Sequence, residues 1–433
     1  MLSLLLSFTQ AKTVDNYAVI MCGSKGWSNY RHQADVYAWH HILTNRGFAS
    51  DHIISLSYDD VAYRSGERGS DGSIYHTCNG PNLWKPIINY TLSDANKENF
   101  FKVLSTIPSS DGWLFKREVN VLIIYINHGA YDLLSTPNAF DQPIYADEFG
   151  EVVSALASRV SSVFCILEAC YSGTMAMHAR YPRNVMFMTA ANAKQSSYSH
   201  GYCEVRCDPE GSACERLGIF TTNEMTYHVL NYLDDKGNDK RSLNDLILYA
   251  KHQTNLSTVI RSGMTNRIPL KAFFKTIGKK GINGSLGNTT VNVKARKRNV
   301  NSLTNEELLV IYNRIRRTLA ANIDPVKQER TIEIHCRKRV SAAALQLFIN
   351  DYLHEDNIEF LTLVGNLCED YSFEDIHSVM SEVRNIGIHE RYYGSVGRYQ
   401  HRESYGESDR ALARVSHMHQ DRNRNRRGGN RFV

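Results

Sequence analysis

Two side chains that could act together in nucleophilic catalysis follow two apolar segments of the sequence. His128 comes shortly after Val119–Ile126 (VNVLIIYI), and Cys170 comes shortly after Val163–Leu167 (VFCIL). A free thiol has a pKa of about 8.5, so near neutral pH it needs an adjacent imidazole to take its proton or stabilise its thiolate. Cys165 lies inside its apolar segment, which indicates a packing function. The residue types therefore predict Cys170 as a nucleophile and His128 as its base.

These two segments belong to a pattern in which apolar strands alternate with helices. The pattern also predicts strands at Tyr17–Cys22, His52–Leu56 and Val185–Met188, and helices at His32–Asn45 and Tyr145–Arg159. Continuous apolar strands separated by helices are typical of a mostly parallel sheet covered on both faces. The carboxyl ends of parallel strands share one edge of the sheet, where ligands bind. His128 and Cys170 can therefore meet there, although alone each could be a structural residue.

Further groups on this edge could complete a site. Gly129 allows the backbone to approach a substrate closely, and its amide with that of Cys170 could form an oxyanion hole, in which one donor contributes roughly 3 kcal/mol. Two polar segments, Asn29–Asp35 (NYRHQAD) and Lys194–Tyr198 (KQSSY), follow other strands and could border the same cleft. There are alternative interpretations. Arg31 could form a surface ion pair, and Ser196 and Ser197 could form a turn.

Length and composition indicate several globular parts. The chain has 433 residues, of which 42% are hydrophobic and 22% charged, which is typical of two or three globular domains. The alternating pattern covers residues 14–280, and residues 281–302 form a Gly- and Asn-rich linker. Residues 303–387 have helical spacing and no strand pattern, which predicts a separate all-α domain. Residues 388–433 are rich in Arg and poor in core residues, which predicts disorder.

The charge distribution separates the tail from the rest of the chain. The formal net charge is +5, and residues 391–433 contain ten Arg and four acidic residues, +6 by count, so the remainder carries 5 − 6 = −1. A nearly neutral body is not typical of a nucleic-acid-binding protein. The tail could bind RNA or anionic surfaces, or it could be a solubilising end; we expect no nucleic-acid partner.

Several features favour the secretory route. Residues 1–13 (MLSLLLSFTQAKT) resemble a short signal peptide. No other apolar run approaches the roughly 18 residues of a membrane span, so none is expected. Nine cysteines are an odd number, which leaves at least one free thiol. Four sequons are candidate glycosylation sites: Asn89, Asn255, Asn283 and Asn288.

Five motifs in order resemble one known family. NYRHQAD, SYDDVAY, NHG, EACYSG and TAANAKQSSY together resemble legumains, the asparaginyl endopeptidases of the caspase-hemoglobinase fold, over roughly residues 15–270. The helical region resembles the legumain prodomain more weakly, through SLTNEEL around Asn305. The resemblance implies an α/β fold with a caspase-like, mostly parallel sheet sandwiched by helices, followed by an all-α C-terminal prodomain.

The resemblance also assigns functions to individual residues. It implies Cys170 as nucleophile, His128 as base or thiolate partner, Asn29 as the residue that orients the histidine, and Gly129 with Cys170 as oxyanion donors. The implied specificity pocket is lined by Arg31, His32, Glu168, Ser196 and Ser197. An asparagine side chain needs a donor for its carbonyl and an acceptor for its amide, which an arginine and a carboxylate or hydroxyl supply.

Two positions depart from the family pattern. Ile219 stands where legumains carry an acidic pocket residue after a Leu-Gly pair, and isoleucine cannot accept a hydrogen bond. Glu168, or an acid such as Glu204 or Glu215, would then supply the acceptor, or specificity is altered. Asn127 stands where animal legumains have Asp before the histidine, which puts in doubt any ligase side-reaction attributed to that Asp.

The resemblance therefore implies a cysteine endopeptidase that cuts proteins and peptides after Asn, and less well after Asp. It implies a zymogen inhibited by its own helical domain and activated at acidic pH by self-cleavage after Asn305, with Asn299 or Asn301 as alternatives. We expect a monomer without metal or other cofactor, in a lysosome- or vacuole-like compartment, secreted, or at the cell surface. The alternatives are an acyl transferase similar to the GPI-anchor transamidase, and a pseudo-enzyme or adhesion protein on the same fold.

Overall fold

The computed structural model describes most of the region with the alternating pattern and the helices after it. The described residues are 13–62, 72–110, 117–137, 143–177, 181–207, 214–264, 268–274, 305–326, 330–348 and 355–393. The predicted leader except Thr13, the linker, most of the Arg-rich tail, the sequons at Asn283 and Asn288, and the candidate cleavage sites Asn299 and Asn301 lie outside these ranges.

The described strands range from two to ten residues in length. They are β1 (Thr13–Cys22), β2 (Ile53–Leu56), β3 (Arg117–Ile126), β4 (Gly129–Ala130), β5 (Leu133–Leu134), β6 (Ile144–Tyr145), β7 (Ser162–Glu168), β8 (Val185–Thr189), β9 (Ser199–Cys207), β10 (Cys214–Asn223) and β11 (Ile260–Gly263). Six of them form the central sheet in the order β11-β8-β7-β3-β1-β2. All neighbours in it are parallel except β11, which is antiparallel to β8.

Two small sheets lie outside the central one. Strands β9 and β10 form an antiparallel hairpin, and β4, β5 and β6 form an antiparallel sheet of three strands. Strand β4 begins at Gly129, directly after His128, so this small sheet continues from the end of a central strand.

The helices fall into an interspersed set and a C-terminal set. They are α1 (Tyr30–Asn45), α2 (Lys97–Thr106), α3 (Ala146–Ala157), α4 (Gly173–Met177), α5 (Glu224–Asp234), α6 (Leu243–Gln253), α7 (Leu270–Phe273), α8 (Asn305–Asn322), α9 (Arg330–Phe348), α10 (Glu355–Asn366) and α11 (Phe373–Tyr393). Among the described residues, no helix is both long enough and apolar enough to cross a bilayer.

The central sheet has a core on each face. Alternate residues of β3 point to opposite sides: Leu122 and Ile124 join one apolar cluster with α1, α5, α6 and α7, while Val121 and Ile123 join the other with α2, α3 and α4. Because both faces are covered, the inner parts of β3 and β7 are apolar on both sides. The predicted α/β fold with a mostly parallel sheet between helices is confirmed.

The element boundaries differ from the predictions at a few points. Strand β1 begins at Thr13, the last residue of the predicted leader, and pairs there with Arg117. Helix α11 continues to Tyr393, so its backbone is helical beyond 387, where we expected the helical region to end. A helix that is already formed extends at little cost through polar residues, and composition alone marked those residues as tail.

Candidate active site

The pairing of β3 with β7 places the two strand ends that lead to His128 and Cys170 side by side. Ile126 is the register partner of Glu168, and the Asn127 N–H donates to the Glu168 carbonyl oxygen at 2.9 Å. His128 and Cys170 each lie two residues beyond this last pair. The two backbones remain in contact there, as the sequence pattern predicts for neighbouring parallel strands.

Gly129 marks the closest approach of these two backbones. A Cβ atom at this position would lie 2.5 Å from the Cys170 carbonyl oxygen and 3.1 Å from Ala169 Cβ. No larger residue fits without moving the backbone that carries Cys170. The glycine is therefore required by packing between the two strand ends.

Asn29 fixes the orientation of the His128 ring. Its Oδ1 lies 2.7 Å from His128 Nε2, and its Nδ2 donates to the Lys25 carbonyl oxygen at 3.0 Å. Because Nδ2 is the donor of the carboxamide, Oδ1 must accept, and His128 Nε2 must carry the proton. The other ring nitrogen, Nδ1, is then the basic one in the neutral imidazole.

Cys170 differs from the other free cysteines of the chain. Its side chain is 8% exposed, and its Sγ lies 3.7 Å from the Ser197 carbonyl oxygen and 3.9 Å from Ser197 Oγ. Cys22 and Cys165 are fully buried, and burial raises the pKa of Cys22 to about 11 and that of Cys165 well above its ordinary value. Both should therefore remain protonated and inert. The predicted packing of Cys165 inside its strand agrees with this.

His32 flanks the His128 ring and is neutral. The two rings are 4.7 Å apart in an edge-on arrangement, and His32 Nδ1 lies 2.8 Å from Ser24 Oγ. Burial, with smaller effects from the charges of Arg31 and His128, holds the pKa of His32 well below its ordinary value. His32 therefore contributes shape and a hydrogen bond rather than charge.

Arg31 is held inside the protein by a residue distant in sequence. Its side chain is 4% exposed, and its Nε donates to Asn223 Oδ1 at 3.0 Å. Asn223 Nδ2 in turn donates to the buried carboxylate of Asp35 at 2.7 Å. The carboxylate also lies 3.0 Å from His76 Nε2. Arg31 is thus a buried, oriented donor rather than the surface ion-pair partner considered from the sequence.

Glu168, the last residue of β7, is a buried carboxyl group with one oxygen unused. Its Oε2 accepts from the N–H and the Oγ1 of Thr226, each at 2.9 Å, whereas the buried Oε1 has no hydrogen-bond partner in the described structure. Burial, followed by the charge of Asp35, raises the pKa of Glu168 to about 8. A buried polar atom without a partner is costly and often marks a binding site.

Ser196 and Ser197 lie in the segment between β8 and β9 and are half-buried. Ser197 is the serine next to Cys170, as its two distances show. The adjoining Gln195 carbonyl oxygen accepts the Tyr171 N–H at 2.9 Å, which ties this segment to the residue after the cysteine. The structure thus brings together the strand ends and the serine segment.

The comparisons with known proteins agree with this arrangement. The profile of the Peptidase C13 family matches residues 16–275, more than half of the chain. The chain belongs to the Peptidase C13 family. Its curated relatives include the Hemoglobinase of Schistosoma mansoni, 32% identical over 258 residues that make up 58% of this chain and 57% of the relative.

Other relatives in this family match to a similar extent. The Legumain of Mus musculus is 29% identical over 57% of this chain and 56% of its own, and the Vacuolar-processing enzyme delta-isozyme of Arabidopsis thaliana is 32% identical over 45% and 43%. The chain therefore spans about half the length of the curated relatives it matches. Among solved structures, Caspase-1 from Spodoptera frugiperda covers 62% of this chain and 93% of its own at 12% identity and a TM-score of 0.37, a likeness too slight to carry an argument.

The two departures from the family pattern have structural consequences. Ile219 packs in an apolar cluster with Tyr30 and Cys203, its register partner. Glu204 is exposed and pairs with Arg216 at 2.6 Å, so it is not a buried pocket acid. Of the acids considered from the sequence, only Glu168 is described as buried. The side chain of Glu215 lies outside the described residues.

Asn127, the second departure from the C13 pattern, is a double donor. Its Nδ2 donates to the Ser135 carbonyl oxygen at 2.7 Å and also to the Gly23 carbonyl oxygen. Gly23 has no room for a Cβ, which would lie 2.2 Å from Asn127 Nδ2. An ionised aspartate could not make either bond, because it has no proton to donate.

Several groups around Arg31 could not be recognised from the sequence pattern. Asp35 lies one helical turn after Arg31 in NYRHQAD, a spacing that places both on one face of α1 and that could have suggested it. His76, Thr222, Asn223 and Thr226 come from a loop, the end of β10 and the start of α5. These four residues are far from Arg31 in the sequence and come near it only in the folded chain, so spacing could not predict them.

The C-terminal helices of this family member pack near the cysteine. One buried apolar cluster contains Cys170, Ala130 and Leu133 together with residues of α8 to α11, among them Leu361 and Val364 of α10. In addition, the Arg337 guanidinium of α9 lies 4.3 Å from the centre of the Tyr131 ring. The helices thus cover part of the edge where the strands end.

The remaining predicted sites are placed as follows. Asn89 and Asn255 are exposed, and glycosylation of both stays a prediction. Asn305 is the first residue of α8, so the candidate cleavage site lies at a helix start. Three disulfides join the other cysteines: Cys78–Cys203, Cys207–Cys214 and Cys336–Cys368.

Proposed function

We propose that this chain is a cysteine endopeptidase that cleaves after Asn, and less well after Asp, through Cys170 and His128. The observation that carries the proposal is the meeting of the β3 and β7 ends, with the His128 ring oriented by Asn29 at 2.7 Å. The arrangement supplies a thiol, an imidazole of defined tautomer, and the backbone amides of Gly129 and Cys170 as candidate oxyanion donors. Membership in a peptidase family supports it, as do relatives named Hemoglobinase and Legumain.

The proposed chemistry proceeds in two halves. His128 Nδ1 takes the thiol proton, and Cys170 Sγ attacks the scissile carbonyl carbon while the Gly129 and Cys170 amides stabilise the oxyanion. The peptide C–N bond then breaks, and the imidazolium gives its proton to the leaving amine. In the second half, His128 takes a proton from water, the hydroxide attacks the thioester, and the sulfur leaves and regains a proton.

The proposed specificity pocket matches a carboxamide side chain. Arg31 supplies a buried donor for the side-chain carbonyl of the substrate, and Glu168 Oε1 is an unpartnered polar atom for its amide. Because burial raises the pKa of Glu168 to about 8, its protonated form predominates below that pH and repels a substrate carboxyl group little. Cleavage after Asp should therefore fall relative to cleavage after Asn as the pH rises through about 8. A site with such paired polar groups rejects side chains that leave them unpaired.

We also propose that the helices α8 to α11 act as an inhibitory domain that is released at acidic pH. The apolar cluster that they share with Cys170 supports this, because a substrate chain would need the same space. Self-cleavage after Asn305, or after Asn299 or Asn301, would separate the helices from the catalytic region. Protonation of carboxylates at low pH weakens the ion pairs that they form, which would favour release of the helices.

The catalytic proposal is tested with a fluorogenic Ala-Ala-Asn peptide after acid treatment. We expect cleavage by the wild type and by Cys165→Ala, which removes a buried thiol, and none by Cys170→Ala. Equal activity of Cys170→Ala would refute the proposed nucleophile. Adding a primary amine tests the acyl-transferase alternative, since a transferase would yield the amide of that amine rather than the free acid.

The zymogen proposal needs a separate measurement. Purified full-length chain is incubated at about pH 5, and new termini are mapped by mass spectrometry. We expect a cut after one of the three candidate asparagines in the wild type and none in Cys170→Ala. Equal maturation of the Cys170→Ala variant would exclude self-processing. An acidic vacuolar or lysosomal compartment reached by the secretory route is the setting in which such activation would operate, as the relatives' names suggest.

A further inference from the structure

We propose that Asp60 is a positioning residue for His128, which it reaches through a relay of hydrogen bonds. The inference rests on the proposed function of His128 and gives a function to the SYDDVAY segment, of which Asp60 is the second acid. The relay runs from the carboxylate through one peptide group and the Asn29 carboxamide to the imidazole. Asp60 does not touch the reacting atoms.

The first link joins Asp60 to the loop that precedes α1. Both carboxylate oxygens accept the Gly26 N–H, at 3.1 and 3.0 Å. Gln33 Nε2, on α1, donates to the same carboxylate at 2.7 Å. The carboxylate is therefore fixed between the loop and the helix. Charge-assisted hydrogen bonds of this kind are roughly twice as strong as neutral ones.

The second link is the peptide group between Lys25 and Gly26. Its N–H faces Asp60, and its carbonyl oxygen accepts from Asn29 Nδ2 at 3.0 Å. Rotation of this one peptide group would therefore break the bonds on both sides at once. Gly26 has φ of 86° and ψ of 160°, a conformation that glycine adopts and other residues avoid. The carboxylate thus stabilises a backbone arrangement that would otherwise have alternatives.

The third link reaches the histidine. Asn29 also donates its backbone N–H to the Gly26 carbonyl oxygen at 3.1 Å, so both its backbone and its side chain are held by the loop. In this position its Oδ1 lies 2.7 Å from His128 Nε2. Each bond in a chain of this kind polarises the next, and a negative charge at its far end favours a protonated imidazole at the other.

Asp59 provides a matched control within the same segment. It precedes Asp60 directly, but its Oδ1 accepts from Tyr37 OH at 2.7 Å. It has a positive φ of 55°, which asparagine tolerates well. Burial raises the pKa of Asp59 to about 6, so Asp59→Asn, assayed above that pH, removes a neighbouring charge without entering the relay.

The test compares Asp60→Ala, Asp60→Asn and Asp59→Asn in the acid-activated protein. We expect kcat on the Asn peptide to fall roughly ten- to a hundredfold in Asp60→Ala, with KM within about twofold, since the pocket residues are untouched. Asp60→Asn keeps one acceptor for the loop but loses the charge, so it should restore kcat only in part, to about two- to fivefold below the wild type. Asp59→Asn should match the wild type.

Hydrogen exchange of the full-length chain gives a readout that does not depend on cleavage. We expect exchange in a peptide covering residues 23–29 to accelerate in Asp60→Ala, while exchange in β3 and β7 stays unchanged. The inference would be overturned if Asp59→Asn lost as much kcat as Asp60→Ala. It would also be overturned if Asp60→Ala accelerated exchange over the whole sheet and Asp60→Asn did not restore kcat. Should Asp60→Ala fail to fold, a kcat and an exchange pattern of Asp60→Asn identical to the wild type would also overturn it.

The two proposals fail in different ways. A wild type that does not cleave the Asn peptide contradicts the proposed function, yet the exchange comparison still decides whether Asp60 holds the loop. A wild type that cleaves, with an Asp60→Ala variant equal to it in kcat and in exchange, contradicts the relay alone.

Discussion

The catalytic edge (Asn29, His128, Gly129, Cys170) and the pocket wall beside it (Arg31, Asp35, Glu168, Asn223) are built in different ways. At the catalytic edge, the register of two neighbouring strands places the residues, and one short loop completes the arrangement. The pocket wall is held by side-chain hydrogen bonds between α1 and the end of β10, which are nearly two hundred residues apart in the chain. Substitutions in the catalytic edge should therefore change kcat, and substitutions in the pocket wall should change substrate binding.

Asn29→Ala should have the larger effect of two matched substitutions. It removes the acceptor for His128 Nε2, so the ring can rotate and change tautomer. We expect kcat to fall roughly ten- to a hundredfold with little change in KM, measured with the Asn peptide over a range of substrate concentrations. A rise in KM at constant kcat would place Asn29 in the pocket instead.

Asn223→Ala makes the same chemical change in the pocket wall. It removes the group that joins Arg31 to Asp35. We expect KM to rise about tenfold while kcat stays within about threefold, because the lost interaction orients a binding group rather than a reacting one. Equal falls in kcat for both asparagine variants would show that the two regions are not separable.

Asn127→Asp tests the support below the catalytic edge. The ionised carboxylate would face the carbonyl oxygens of Gly23 and Ser135, which in the wild type accept hydrogen bonds from Asn127 Nδ2. We expect a loss of roughly 1–3 kcal/mol in unfolding free energy near neutral pH. The loss should shrink at acidic pH, where the protonated acid can donate one bond. Denaturant titrations at two pH values measure it, with Asn45→Asp on the exposed end of α1 as control; a pH-independent loss would contradict the assignment.

Glu168→Gln should change the pH dependence of stability, in addition to any change that it makes in the proposed pocket. Burial raises the folded-state pKa of Glu168 from 4.5 to about 8. The folded protein therefore holds this proton where the unfolded chain releases it, and stability falls as pH rises from the lower value through the higher one. We expect Tm of the wild type to drop by roughly 2–8 °C more than that of the variant over this range. Parallel profiles would show that Glu168 is ionised in the fold, and Glu204→Gln, at an exposed site, is the control.

Much of the catalytic edge could be predicted because it depends on local sequence. Apolar strands and the polar residues that follow them are visible as pattern, so the sequence alone predicts the α/β fold and a shared sheet edge for the segments that carry His128 and Cys170. The functions of the individual residues came from the family resemblance. The relay to Asp60 could not be predicted from the sequence. It passes through the peptide group between Lys25 and Gly26, and every pair of residues has such a group.

The pocket wall was harder to predict for a physical reason. Asn223 and His76 are polar residues without a local pattern, and they meet Asp35 only after β10 and the loop after β2 have folded against α1. The same holds for the unpartnered oxygen of Glu168, which depends on burial rather than spacing. The disulfide partners likewise required three dimensions, since spacing alone leaves many pairings open.

The most direct test of the account is covalent labelling with a chloromethyl ketone of the peptide Ala-Ala-Asn after acid treatment. Among the described residues, the cysteines outside disulfides are Cys22, Cys165 and Cys170, so two of them serve as internal controls. We predict an adduct on Cys170 alone, formed at least about a hundredfold more slowly in His128→Ala. An adduct on either of the other two, or an equal rate without the imidazole, would contradict the pairing of His128 with Cys170.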